Sequence, residues 1–346
     1  MTSMQQLTFI KPGTFEWQEV AVPKLMGAGE ALVRPLAVTR CDLDLYIATG
    51  VFPMAGPFAF GHEIAGEVVD IGDAVTSVRP GDRAIVPFQI NCGTCKPCRA
   101  GLTNACTTVP AYSAYGLAPS SGREWGGGLS DLTHVPYADA MLVKIPVDVS
   151  LESAAALSDN ATDGFRTVAD PLRRAPGADV LILGGLAQSV GLYAVQAARA
   201  LGAGQVVYRD FDADRLATAK AMGADVIETV YDENMPVDTM YPIVVEAAGL
   251  PGALAFALRS TAPCGICTGV SAGTAAVAEI PLRSMYMKGA TYTVSRVHAR
   301  ADLPAAMECA RCRGAPPDDM ISRRVSFVDA ADAMTDPTRK LVFVRD

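Results

Sequence analysis

Charge is scarce in this chain, and what there is leans acidic: 37 Asp and Glu against 29 Lys and Arg, a net charge of -8. With no basic excess to meet phosphates, nucleic acid is not an expected partner. Long apolar runs are also missing. The nearest approach, roughly residues 180–203, is broken by Gly184, Gly185, Gln188, Ser189, Gln196 and Arg199. It reads as strand, turn and buried helix, so no membrane partner is expected. The opening MTSMQQLTF has no basic stretch followed by an apolar one, and no secretory signal is expected from it. Repeats and low-complexity tracts are absent. Cysteine is plentiful, and nine of them in a chain without an export signal point to metal or catalysis instead of disulfides. The expectation is a soluble cytoplasmic protein. Its 346 residues suggest about two domains, each with ample length for a core.

Four of the cysteines, Cys92, Cys95, Cys98 and Cys106, lie in INCGTCKPCRAGLTNACTT with the spacing C-x2-C-x2-C-x7-C. Four thiolates on one short loop can close around a tetrahedral Zn²⁺ and leave no position for substrate, which makes a structural site.

Residues 1–150 read as β-rich. Short apolar runs (EALVRPLAV, AGEVVDI, DRAIVPF) are separated by Gly, Pro and Asp turns. Residues 118–128 read as a loop. From 151 to 295 the pattern alternates. Strands are expected at 180–185, 206–210, 225–230, 241–249, 265–271 and 290–295, with helices such as VGLYAVQAARALG and ADRLATAKAMG between them. Alternating β and α predicts an α/β fold with a doubly wound parallel sheet of Rossmann type. From about 296 the pattern is mixed and ends in the strand-like LVFVRD.

The strand VLILGG runs into GGLAQSVG and then a helix starting near Val190. Gly184, Gly185, Ser189, Val190 and Gly191 are the candidate pyrophosphate-binding positions, because N–H groups at a helix start favour anions. The segment is two residues longer than G-x-G-x-x-G. Asp210, nineteen residues after Gly191, stands where a carboxylate meets the adenosine ribose hydroxyls and repels a 2′-phosphate. NAD is therefore expected over NADP, with Arg209 and Arg215 beside Asp210 able to reverse that preference. Arg215 joins the candidate cofactor residues.

A second metal site is suggested by Cys41, His62, Glu63 and Asp159. Thiolate, imidazole and carboxylate together make a site with an open position, as catalytic zinc requires. These residues are far apart, and spacing alone does not assemble them. The run GHEIAGEVVDIGDAV resembles the zinc signature of the medium-chain alcohol dehydrogenase superfamily, matching at Gly61, His62, Glu63, Gly66, Gly72 and Val75. The four-cysteine loop is similar to that family's structural zinc loop, and the nucleotide segment follows in the family's order.

The resemblance implies catalytic ligands at Cys41, His62 and Asp159. Glu63 becomes a neighbouring carboxylate able to bind zinc when water leaves. An Asp in the third place is similar to bacterial secondary-alcohol dehydrogenases. The resemblance also implies a GroES-like catalytic domain at 1–150 completed by 296–346, a Rossmann domain at 151–295, two zinc ions (one catalytic, one structural), and a homodimer or homotetramer.

The chain also departs from the family. Leu43 stands where Ser or Thr usually relays the proton, Tyr46 where His often follows, Asp42 where a basic residue sometimes meets pyrophosphate, and Asp163 where Thr precedes Gly164. Zinc-dependent transfer of hydride between NAD(H) and a secondary alcohol or polyol is the expected function. A zinc-containing reductase of iminium or activated C=C bonds, needing no hydroxyl relay, is the alternative. A nucleotide-binding protein keeping only the structural zinc is a third.

The pairs Cys264–Cys267 and Cys309–Cys312 read as strand and helix residues. His134 reads as an ordinary strand residue and His298 as a surface one. Loops near 50–60, 110–128 and 285–300 supply candidate pocket walls, with Phe52, Phe58, Tyr112, Tyr115, Trp125 and Met285 among them.

Overall fold

The computed structural model describes residues 2–119, 123–232, 234–271 and 277–345. The chain forms two compact units. The first contains Met1–Thr162, Val297–Met307 and Pro316–Asp346, and the second Asp163–Arg296 and Glu308–Ala315. Residues 120–122, within the expected loop 118–128, and residues 272–276 lie outside the described residues.

The first unit is organised around the strand Ala31–Thr39, which is buried on both faces except at Arg34 and Leu36. It pairs antiparallel with Glu63–Ile71 on one side and with Leu341–Val344 on the other. Thr39 is thereby opposite both Glu63 and Val342. The register slips between Pro35 and Ala37, where proline has no N–H to give the ladder. Arg323–Ser326, Arg83–Val86 and Val143–Lys144 extend this sheet, and Thr133–Val135 pairs with its central strand. A separate three-stranded sheet joins Thr14–Ala21, Ser3–Lys11 and Phe58–Ala59. Its inner face carries a packed aromatic group, with Phe9 and Phe58 centroids 5.0 Å apart and Phe15 and Phe60 4.9 Å apart. Phe58, Tyr115 and Trp125 lie in this unit's core, whereas Phe52 and Tyr112 are exposed.

Residues 151–162 fall in the first unit, beyond the break expected at 150. The helix Leu151–Leu157 is capped by Ser150, whose hydroxyl accepts from the Ser153 N–H at 3.0 Å. It buries Ser153 to Leu157 and packs on Ala31–Thr39 and Glu63–Ile71.

The second unit is a six-stranded parallel sheet. Its spatial order is Asp225–Glu228, Val206–Asp210, Val180–Leu183, Tyr241–Glu246, Thr261–Gly269, Thr291–Val294. Counted in chain order within the unit, this is 3-2-1-4-5-6, the dinucleotide-binding arrangement. Val180–Leu183 is buried at every position, as a strand covered on both faces requires. Among the described residues no helix is long and apolar enough to cross a membrane.

A polar strap in the first unit gives a test of this fold. Asp139, on the helix Ala138–Met141, accepts from both the N–H and the hydroxyl of Thr76 and of Ser77, at 2.7–3.1 Å. Burial opposes its charge, but these bonds prevail and lower its pKa from 3.8 to about 2. Asp139→Asn is expected to lower stability by about 1 kcal/mol, the size of a lost helix cap. The folded pKa is depressed, so the contribution is present above about pH 4 and is lost as pH falls towards 2. Melting curves should show the same gap between the two proteins at pH 7 and pH 5, and a narrower gap at pH 3.

Candidate functional site

The four-cysteine loop brings its sulfurs together, with all four ligand atoms within 4.8 Å of one another. Cys95 and Cys106 Sγ are 3.9 Å apart, against roughly 3.8 Å for two thiolates on a tetrahedral zinc with 2.3 Å bonds. Cys92 Sγ accepts from the N–H groups of Thr94 and Cys95 and from the Thr108 hydroxyl, at 3.4, 3.3 and 3.0 Å. Burial opposes its thiolate, but these bonds lower its pKa to about 5, and backbone bonds lower Cys95 to about 7. Burial pushes Cys98 up to about 12. The donor set and spacing fit a closed zinc site.

Cys41, His62 and Asp159 also come together, their ligand atoms within 4.8 Å. All three are buried. His62 Nε2 and Asp159 Oδ2 are 3.4 Å apart, close to the roughly 3.3 Å edge of a tetrahedron with zinc bonds near 2.0 Å. The set is thus a fit for zinc with one position left over. Burial pushes the Cys41 thiol up, and the Asp159 charge adds to this. At His62 burial works against a proton, but Asp44 and Asp159 outweigh it and raise the pKa. Metal binding at such ligands therefore releases protons.

Each ligand is placed by a local device. Cys41 precedes the helix Asp42–Thr49, and Asp44 Oδ2 accepts the Cys41 N–H at 3.0 Å in the manner of a capping residue. The same carboxylate's Oδ1 stands 3.2 Å from His62 Nδ1, near enough for charge pairing though off the hydrogen-bond direction. Asp44 therefore leaves Nε2 as the nitrogen facing the site. His62 follows Gly61, whose φ of +88° disfavours any side chain. Asp159 lies in the turn between Leu151–Leu157 and Asn160–Arg174, and Ser158 Oγ accepts the Ile64 N–H at 3.1 Å.

Glu63 lies outside the three-ligand group. Its Oε2 takes Lys340 Nζ at 2.6 Å and the Thr39 hydroxyl, and its Oε1 takes the Asn160 N–H at 3.0 Å. Lys340 and Glu63 have no solvent exposure. Lys340 reaches them because Arg40, also buried, collects the carbonyls of Met334, Asp336 and Thr338 and folds that loop back. Asp44, Asn160, Arg40 and Lys340 were not apparent as site residues in the sequence. Only Asp44 had a signal, three positions after a helix-capping residue.

In the second unit, Gly184 and Gly185 form the turn after Val180–Leu183, and the helix Gln188–Ala200 follows. A Cβ at Gly184 would collide with Tyr208 and Asp210, and one at Gly185 would lie 2.6 Å from the Ala248 carbonyl. At Gly191 a Cβ would make ordinary contact. Leu186 and Ala187 N–H groups bond to Ala248 and Ala247. Gln188, Ser189 and Val190 make up the first turn of that helix, the end whose dipole favours an anion.

Asp210 is fully buried. It accepts from Arg215 Nε and NH2 at 2.7 and 2.6 Å, from Tyr208 Oη at 2.7 Å, and from the Phe211 and Asp212 N–H groups at 2.7 and 3.1 Å. Burial would raise its carboxyl, but Arg215 and Tyr208 hold it below its ordinary value. Arg215 also reaches Gln188 Oε1 at 3.3 Å. Asp163 is held by Arg166 Nε at 2.6 Å, and the same guanidinium grips Ser295. Leu43 packs against the first unit's core.

Two metal-ligand groups and a 3-2-1-4-5-6 sheet define the class as a metal-binding chain built on a dinucleotide-binding fold. Residues 27–147 match the family described as alcohol dehydrogenase GroES-like domain, and residues 189–311 match the zinc-binding dehydrogenase family. The chain belongs to the alcohol dehydrogenase superfamily of medium-chain dehydrogenases/reductases.

It is 33% identical over 245 residues to a glutathione-independent formaldehyde dehydrogenase of Pseudomonas aeruginosa, covering 67% of this chain and 60% of that protein. It is 34% identical over 225 residues to a probable S-(hydroxymethyl)glutathione dehydrogenase 1 of Schizosaccharomyces pombe, covering 62% and 58%. The matched region thus spans about 60% of the length of these curated relatives. Among solved structures, the alcohol dehydrogenase TADH from Thermus sp. ATN1 superposes with a TM-score of 0.90 at 27% identity, covering 99% of this chain and 100% of that one.

The glycine turn gives a direct check. Gly185→Ala is expected to cost roughly 1–3 kcal/mol by overpacking against the Ala248 carbonyl, and to weaken nicotinamide nucleotide binding at least tenfold. Melting curves and a fluorescence titration would measure both, and an unchanged titration would refute the placement of the nucleotide at this turn.

Proposed function

We propose that the protein is a zinc-dependent oxidoreductase that exchanges hydride between NAD(H) and a secondary alcohol or polyol and the matching ketone. The observation that carries this reading is the buried Cys41–His62–Asp159 group, three donors where a tetrahedral zinc takes four ligands. Zinc bound there supplies Lewis acidity towards a substrate oxygen. Asp44 holds the His62 ring, and Lys340 and Asn160 hold Glu63 beside the ligands as the neighbouring carboxylate. Leu43 offers no proton path, and Asp163 is committed to Arg166, so the substrate proton leaves by a route other than these two side chains. The four-cysteine site holds a second, structural zinc.

The preference for NAD has a basis different from a bare ribose-binding acid. Asp210 is saturated by donors, and its bidentate bond to Arg215 cancels the cation that would attract a 2′-phosphate. A homodimer is supported by the last strand of the parallel sheet. Thr291–Val294 ends that sheet, and Leu282, Tyr286, Met287 and Val294 are exposed on or near it. Five of the nine cysteines stand in the two metal-ligand groups, which need reduced sulfur, in keeping with a reducing, cytoplasmic compartment.

The zinc-loaded protein should contain two zinc atoms per chain and reduce NAD with a panel of secondary alcohols and polyols, with kcat/KM at least tenfold below that for NAD when NADP is supplied. Cys41→Ala should lose one zinc and all turnover while keeping its fold. Silence across the panel with both zincs present would overturn the alcohol reading, and one zinc in the wild type would overturn the catalytic site. Asp210→Asn should narrow the NAD preference by loosening Arg215.

The dimer has its own test. Sedimentation at micromolar concentration should give a dimer for the wild type and a shift towards monomer for Val294→Asp. A monomeric wild type would refute the interface.

A further inference from the structure

Asn160 is the residue that touches most of the ligand group without belonging to it. It is 3% exposed and is the first residue of the helix Asn160–Arg174. Its Nδ2 lies 3.2 Å from Cys41 Sγ and 3.0 Å from Asp159 Oδ2. Its Oδ1 accepts from Lys340 Nζ at 2.9 Å, and its backbone N–H serves Glu63. An amide side chain has two N–H donors on one end and an acceptor on the other. The surroundings allow one orientation. An ammonium needs the oxygen, while a thiolate and a carboxylate need the NH2. A flip would set the carbonyl against two anions and the NH2 against a cation.

We propose that Asn160 is a positioning residue that tunes the zinc-facing thiolate: it donates an N–H···S hydrogen bond to Cys41 and a second bond to Asp159, and Lys340 locks its amide in that orientation. The inference rests on the reading of Cys41, His62 and Asp159 as zinc ligands. A hydrogen bond to a ligating sulfur draws electron density from it, so the metal receives less charge and remains a stronger Lewis acid. The second bond fixes Asp159 Oδ2, the atom that stands 3.4 Å from His62 Nε2. One side chain thereby sets both the donor strength of one ligand and the position of another. Lys340 and Glu63 supply the rigidity, since neither can move without leaving a buried charge unpaired.

Cobalt substitution reads this directly. Co²⁺ is loaded into the full-length wild type, Asn160→Ala and Asn160→Asp, and the spectrum of Cys41→Ala, which loads the four-cysteine site alone, is subtracted. The wild type is expected to show a thiolate-to-cobalt charge-transfer band. Both Asn160 variants should shift that band to longer wavelength, because a sulfur without its hydrogen bond gives up an electron more easily. Extraction of that metal by a chelator should be tenfold to a hundredfold faster in both, the usual scale for residues that hold metal ligands.

Asn160→Asp is nearly isosteric and keeps an oxygen for Lys340, so it guards against simple misfolding of the alanine variant. A wild-type band with both variants unchanged would overturn the proposal. A shift in Asn160→Ala but not in Asn160→Asp would also overturn it, by assigning the residue to packing or to Lys340. No charge-transfer band in the wild-type difference spectrum would instead refute the zinc-ligand reading, and the inference would fall with it.

Discussion

A carboxylate sealed from water has to be met by charge from the protein, and Glu63 is met by Lys340. Losing one partner of such a buried pair costs on the order of 3–5 kcal/mol, so the two residues must arrive together. They are 277 positions apart. The central strand Ala31–Thr39 solves the problem by pairing with the Glu63 strand on one side and the Leu341 strand on the other. Arg40, the next residue after that strand, gathers the loop carbonyls that lead to Lys340. Cys41 follows at once. The register of one strand thus sets a ligand, the neighbouring carboxylate and its counter-ion.

The two metal-ligand groups are assembled in different ways. The four-cysteine group is assembled from one loop, and its Cys92 sulfur accepts from the N–H groups of Thr94 and Cys95 and from the hydroxyls of Thr94 and Thr108. Local sequence is sufficient for it. The three-ligand group draws on a helix start, a strand start and a turn between helices, and it depends on Asp44 and Asn160 for orientation. Its supporting residues are charged or polar and buried, and each has to be satisfied if the site is to stay in one geometry.

In the nucleotide-binding unit the same physics acts on Asp210. An acid at the end of the second strand of this sheet suggests a ribose-binding carboxylate exposed at a crevice. Full burial changes its circumstances, because a charge without water must find protein donors. Arg215, Tyr208 and two N–H groups supply them. Glycine at 184 and 185 has an equally concrete reason, since Tyr208, Asp210 and the Ala248 backbone occupy the space that a side chain would need.

Sequence by itself determined the features whose physics is local. The C-x2-C-x2-C-x7-C loop, the alternation of strands and helices from 180 to 295, and the strand–turn–helix at Gly184 all rest on neighbours a few residues away. The family signature around His62 added Cys41 and Asp159, which spacing alone could not join. Tertiary structure decided the rest. Phe58 and Tyr115 were candidate pocket walls and lie in the core, because an aromatic run is apolar in either place and only packing separates the two. The helix Leu151–Leu157 went with the first unit because its buried face lies on that unit's strands. Asn160 and Lys340 had no signal, for their chemistry appears only when distant segments enclose them. A lone Lys or Asn in sequence is solvated by default, and burial against a thiolate and a carboxylate is what gives it a role.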